Sequence, residues 1–142
     1  MAVELHHTFS SAKSPDEGYA SILDLEHVVT CVEGGRVLEL TSPTTAKAEI
    51  KVKMGAMSLS YKGTVEVVEQ DDAARRAVLQ VKSREVGGQG FANATVAFTV
   101  TDGGGTIDTT AQITGKAASM GEGVISGVLE ALIADFAGKL GS

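Results

Sequence analysis

Tryptophan is absent from the 142 residues, and aromatic side chains make up only 4% of them. A core of this size is usually filled in part by large rings. Here Ala, Thr, Val and Gly take many of the inward positions, and there are 17 glycines. Two readings of the shortage stand: a fold that encloses space rather than filling it, or a general bias toward small residues. Basic residues are also in the minority, 12 against 18 acidic, for a net charge of −6. That argues against nucleic acid, whose phosphates need a basic surface, and against simple electrostatic docking on anionic lipid. With Cys31 as the single cysteine, no internal disulfide can form, and a reducing compartment fits. No uncharged apolar stretch is long enough to span a bilayer. No basic region followed by an apolar run opens the chain, so no export leader is expected. The length suits one domain, 1–142, with one core.

The most telling stretch runs from Ser119 to Leu140. Met120, Val124, Ile125, Val128, Leu129, Leu132, Ile133 and Phe136 recur at helical spacing and form one wide apolar face that no charge interrupts. Ser119 with Glu122 has the form of a capping box, and Gly138, Lys139 and Gly141 suit the helix end. Gly121, Gly123 and Gly127 each cost roughly 1 kcal/mol against Ala inside a helix. They imply either close approach of the helix backbone to a sheet or room left for a third party, and packing is the preferred reading. Gly141-Ser142 is not taken as the natural C-terminus.

Before that helix the chain reads as strand, two short helices, then about six strands. Val3, Leu5, His7 and Phe9 alternate in the first strand. Ser14-Pro15-Asp16-Glu17 starts a helix, with Ser14 as cap and Pro15 in the first turn. Asp24 caps a second one through Leu25, Val28 and Val29, and Glu33-Gly34-Gly35 ends the pair. From Arg36 the period becomes two. Arg36–Leu40 is a short strand, and Ala46, Ala48, Ile50, Val52 and Met54 alternate with Lys47, Glu49, Lys51 and Lys53. After a turn at Gly55-Ala56, Met57, Leu59, Tyr61, Gly63, Val65 and Val67 share a face, and Gly63 marks a bulge or bend. Ala77, Leu79 and Val81 point inward in the next strand. Ala92, Ala94, Val96, Phe98 and Val100 do so after the Gly87–Gly90 turn. Ile107, Thr109, Ala111 and Ile113 do so after the Asp102–Gly105 hairpin.

Sequential hairpins force antiparallel pairing, and polar outward positions leave one face of the sheet in water. Only one long helix is available to cover the other face. The fold class expected is α+β with a helix-grip arrangement. A curved antiparallel sheet of about seven strands wraps around the long C-terminal helix, two short helices follow strand one, and an apolar cavity lies between. Such clefts are where small molecules bind.

Catalytic and metal chemistry is hard to place. His6 and His7 are neighbours and point to opposite faces of a strand. His27 and Cys31, four apart on a helix, can share a ligand, but no third ligand is in view. Nothing argues for a base that would activate Cys31. The carboxylates sit on turns and solvent faces. Asp102-Gly103-Gly104-Gly105 lacks the lysine of a phosphate loop and reads as a hairpin. Asn93-Ala94-Thr95 is a glycosylation sequon by letters only.

With the order of elements fixed, the chain resembles the G-subunit family of carbon monoxide dehydrogenase, within the START-like, Bet v 1-like superfamily. Ser14-Pro15, Asp24-Leu25-Glu26 with Cys31, and Val52-Lys53-Met54-Gly55 carry the resemblance. So do Tyr61-Lys62-Gly63-Thr64-Val65, Asp71 before Arg75-Arg76, Gly90-Phe91-Ala92-Asn93-Ala94, Gly105-Thr106, Gly115-Lys116 and Gly121. Glu33-Gly34 departs from the Pro-Gly usual in the family. The resemblance implies an accessory protein of the aerobic molybdenum-containing carbon monoxide dehydrogenase system, linked to attaching that enzyme to the cytoplasmic membrane. That places it in the cytoplasm, peripheral to the inner face of the membrane. It also implies a lipid-sized apolar cavity. Family members often continue into a linker and a hydrophobic anchor, which this stretch of chain does not include.

Three functions compete. The first is a non-catalytic carrier or adaptor whose cavity holds an apolar lipid, a respiratory quinone (menaquinone or ubiquinone) before other prenyl lipids. Its expected wall is Met54, Met57, Leu59, Tyr61, Leu79, Val96, Phe98, Met120, Val124, Val128, Leu132 and Phe136. Methionines suit an adaptable wall. The second is a cyclase or dehydratase, which needs a buried acid or base facing the cavity; Tyr61 and His7 are the best available. The third is a structural adaptor with a filled core.

Overall fold

Ser14 accepts a hydrogen bond from the Glu17 amide and starts α1 (Pro15–Leu23), with Pro15 in the first turn as expected. Asp24 does the same for the His27 amide at the start of α2 (Leu25–Thr30). This computed structural model describes residues 1–141. The two helices follow β1 (Ala2–Ser10) and lead into β2 (Gly35–Ser42), β3 (Thr45–Met54) and β4 (Met57–Asp71). Then come β5 (Arg76–Glu85), β6 (Phe91–Thr101), β7 (Gly104–Ile113), a single 3₁₀ turn at Ala118–Met120, and the long helix α3 (Glu122–Leu140).

All seven strands form one antiparallel sheet in the order β1-β7-β6-β5-β4-β3-β2. Strands β1 and β2 are consecutive in the chain yet lie on opposite edges. The α1–α2 segment between them must therefore cross one end of the sheet, which it closes. Helix α3 runs under the concave face beside β1. The fold is the expected helix-grip arrangement.

The core is divided. One buried cluster gathers Phe9, Tyr19, Ile22, Leu25, Val28, Val29, Leu79, Phe98, Ile107, Phe136 and Leu140 at the α1–α2 end. Phe98 and Phe136 meet edge to face, with ring centroids 6.1 Å apart. A second cluster gathers Val3, Met54, Leu59, Tyr61, Ile113, Ala117 and Ile125 at the other end.

Several expectations need correction. The capping box does not form: Ser119 Oγ donates to the Lys116 carbonyl at 2.6 Å, and α3 begins only at Glu122. Its cap is Gly121, whose φ of 95° and ψ of 153° suit glycine and end the 3₁₀ turn. Gly121, Gly123 and Gly127 do not mark close packing, since a Cβ built on any of them would meet nothing within 4 Å. Gly63 makes no bulge. Register runs unbroken through it on both sides, and the irregularity in β4 lies between Val67 and Glu69. Gly63 is instead a point of close approach, where a Cβ would sit 1.8 Å from the Lys82 carbonyl oxygen. Nor are all carboxylates solvated: Glu49 and Glu85 are buried. Glu49 is sheltered on the convex face between Arg36 at 3.0 Å and Lys62 at 3.6 Å, its partners on the flanking strands.

Candidate functional site: an apolar cavity between sheet and helix

A row of small residues crosses the middle of the concave face. Register pairs Ala48 with Gly63, Gly63 with Ser83, and Ser83 with Ala92, on β3, β4, β5 and β6. Beside it, Ala94 pairs with Ala111 across β6 and β7. These side chains are short, and the two core clusters stay separate. A cavity of about 230 Å³ remains between them.

Its floor is that row, and its roof is Ile125, Val128, Leu129, Leu132, Ile133 and Phe136 of α3. Val28 and Val29 of α2, with Val32 just past its end, close one end, while Met54 and Tyr61 stand at the other. The wall is almost wholly apolar, so water over most of it would lack partners and an apolar guest is favoured there. The volume exceeds the roughly 150 Å³ of a void that binds benzene. It falls below the roughly 300–1,000 Å³ of common ligand pockets. The hollow is therefore smaller than the lipid-sized space expected, because Phe98 and Phe136 plug one end and Met54 and Tyr61 the other.

Of the residues expected to line it, Met54, Tyr61, Leu79, Val96, Phe98, Val128, Leu132 and Phe136 do stand at the cavity wall. Leu59 is buried in the second core cluster without reaching the cavity, and Met57 and Met120 pack against that cluster. Val124 is 46% exposed and faces away. Helix α3 is apolar on nearly every side, so helical spacing alone does not show which stripe turns inward.

Thr109, Ser83 and the valines of α2 were not among the expected wall residues. Thr109 and Ser83 lie in the inward phase already legible in their strands. Thr109 is 5% exposed, and its Oγ1 has no hydrogen-bond partner among the described residues. Glu85 extends the same phase of β5 and pairs in register with Tyr61. Its carboxylate is tucked against Gly88 and Gly115, where a Cβ on Gly88 would lie 2.2 Å from its Oε2. Burial first, and the field of Glu85 second, push the Tyr61 phenol above its ordinary pKa, so it keeps its proton.

His7 and His6 do point to opposite faces. His7 Nε2 lies 2.7 Å from Glu130 Oε1 of α3, whereas His6 pairs with Asp108 on the outer face. Cys31 Sγ lies 3.7 Å from His27 Nε2. Burial raises the Cys31 pKa despite Lys13 and Lys139, which keeps it a thiol. Among the described residues, no group of three or more His, Cys, Asp or Glu could hold a metal ion. No helix among them is long and apolar enough to cross a membrane.

A grip of sheet around helix with an apolar hollow is the Bet v 1-like fold, and solved structures agree. A conserved Geobacillus kaustophilus protein superposes with a TM-score of 0.76 at 22% identity, covering 99% of this chain and 92% of that one. A Thermus thermophilus protein gives 0.70 at 15% identity, covering 99% and 97%. A Streptomyces aromatase/cyclase gives 0.65 at 12% identity, covering 99% and 92%. At such identities these likenesses establish the fold. No curated protein sequence matches the chain. The profile of the carbon monoxide dehydrogenase G-subunit family, CoxG, matches residues 8–142, and the chain belongs to that family.

Proposed function

We propose that this protein is a non-catalytic accessory of the carbon monoxide dehydrogenase system, and that it holds the ring end of an apolar lipid in the cavity. A respiratory quinone, menaquinone or ubiquinone, is the occupant of choice, because a dehydrogenase that feeds respiration needs a lipid-soluble electron acceptor. The protein would link the enzyme to the electron-transport chain at the inner face of the membrane. The observation that carries the reading is the transverse row Ala48-Gly63-Ser83-Ala92. It leaves a hollow about 230 Å³ in volume with apolar walls in a chain of this family. That space suits a ring system and the first prenyl carbons, with the rest of the tail outside it.

Mass spectrometry of lipids extracted from protein purified out of a quinone-containing host tests this. A quinone or other prenyl lipid in near-stoichiometric amount is expected. Clean extracts would remove the carrier reading and leave the structural adaptor.

The enzyme reading draws on Tyr61 and Glu85, an acid and a phenol paired in register at one end of the concave face. It asks for turnover of an apolar ketone or polyketide by the purified protein. Its loss in Glu85→Gln, with the fold intact, would establish it.

A further inference from the structure

We propose that His7 and Thr109 form a two-point hydrogen-bonding station for a hydroxyl group on an otherwise apolar ligand. The inference rests on the reading that the cavity takes an apolar guest.

Two buried side-chain polar atoms lack a hydrogen-bond partner among the described residues: His7 Nδ1 and Thr109 Oγ1. They are not scattered. His7 pairs with Ile107 and Leu5 with Thr109 across β1 and β7. His7 and Thr109 are therefore diagonal neighbours on the concave face, roughly 7–8 Å apart at Cα and closer at their side chains. The His7 side chain is 10% exposed and Thr109 is 5% exposed. Thr109 stands in the cavity wall, and α3 covers His7 through Glu130.

Buried polar groups are nearly always satisfied, and each one left bare costs stability. Valine at position 109 would occupy the same volume at no such cost. Two bare atoms on diagonal neighbours, one in the cavity wall and the other one strand over, point to a partner that comes from outside the chain.

The chemistry of that partner follows from Glu130. Its carboxylate can only accept, so His7 donates through Nε2–H, and in an imidazole with that single N–H the Nδ1 is an acceptor. The Thr109 hydroxyl can donate or accept. The complement of one acceptor and one donor is a group that gives one hydrogen bond and takes one. A phenol, an alcohol or a hydroquinone does this. A carbonyl or an ether can serve only Thr109. The station therefore favours the hydroxyl form of a ring ligand over its ketone or ether form.

Three probes of nearly equal shape separate the possibilities: naphthalene, methoxynaphthalene and naphthol, titrated against protein stripped of lipid. Naphthol is expected to bind about tenfold more tightly than methoxynaphthalene, the effect of one to two neutral hydrogen bonds. In Thr109→Val naphthol and methoxynaphthalene are both expected to weaken several-fold while naphthalene binding is unchanged, and the variant should melt no lower than the parent. In His7→Phe naphthol and methoxynaphthalene are expected to bind about equally, because the acceptor that only a hydroxyl can serve is gone. Equal binding of naphthol and methoxynaphthalene by the parent, or a preference that survives His7→Phe, would overturn the station while leaving the cavity reading intact. A buried water alone satisfying the pair would give that result. Binding of none of the three probes would overturn the cavity reading and the station together.

Discussion

The phenolic oxygen of Tyr19 donates to Asp72 Oδ1 at 2.8 Å and ties helix α1 to the turn between β4 and β5. The tie shows in both pKa values. Burial, reinforced by the hydrogen bond and the charge of Asp72, raises Tyr19 from 10.0 to about 12. Hydrogen bonds from Gln70 and then Tyr19 lower Asp72. Between pH 10 and about 12 the unfolded chain gives up a tyrosine proton that the folded chain keeps, so stability falls as pH climbs through that window. The Asp72 contribution has the opposite sense: it is present above pH 3.8 and is lost as pH falls through the lowered value. Tyr19→Phe should cost about 1–2 kcal/mol near pH 8. In urea unfolding, its deficit against the parent should shrink steadily between pH 10 and 12. A deficit that stays constant across that window would rule out the coupling.

The glycines divide into two physical kinds, and substitution separates them. Gly123 and Gly127 face open space on α3 and carry no positive φ. Alanine at either should stabilise by about 0.5–1 kcal/mol. Gly63 has the Lys82 carbonyl oxygen 1.8 Å and the Ser83 Cα 2.6 Å from where a Cβ would be. Gly63→Ala should cost about 3 kcal/mol, since backbone on the neighbouring strand would have to move. Thermal melts of the three variants check both signs. Stabilisation by Gly63→Ala would mean the strands approach less closely than described.

Glu49 sits between Arg36 and Lys62 with its carboxylate 8% exposed, while the two cations are more than half exposed. Exposed partners make weak pairs, so the gain from this trio is modest. Glu49→Ala should cost about 1 kcal/mol at low salt, and less at high salt as the remaining Arg36–Lys62 repulsion is screened. A deficit that does not respond to salt would assign the cost to packing alone.

Much of the fold was legible because strands have a period of two. The inward sets Ala46–Met54, Ala92–Val100 and Ile107–Ile113 follow from alternation alone. The order of helices and hairpins leaves few ways to bury them. The first two helix starts were legible because Ser14 and Asp24 act locally. The start of α3 was not, because Ser119-x-x-Glu122 mimics a cap while Gly121 breaks the backbone between them. Val124 was misplaced because α3 is apolar around most of its circumference, so tertiary contact sets its phase. Thr109 and Glu85 were within reach, each continuing a phase already read in its own strand. The row that forms the cavity floor was not, because Ala48, Gly63, Ser83 and Ala92 become neighbours only once register is known.

That row makes the cavity adjustable in both directions. Ala94 is half-buried at the cavity wall and pairs with Val81 and Ala111. Ala94→Leu would push three more carbons into the void, with a stability change within about 1 kcal/mol, since new apolar burial offsets the strain of repacking. Leu132 hangs from α3 into the same space. Leu132→Ala would widen it, at a cost of about 2 kcal/mol for a half-buried leucine. If lipid occupies this hollow, co-purified lipid should drop several-fold in Ala94→Leu and hold or rise in Leu132→Ala, in protein made side by side in one host. Structural damage alone predicts the reverse order, because the second variant is the less stable of the two. Equal lipid loads in both variants and the parent would place any bound lipid on the outer surface instead.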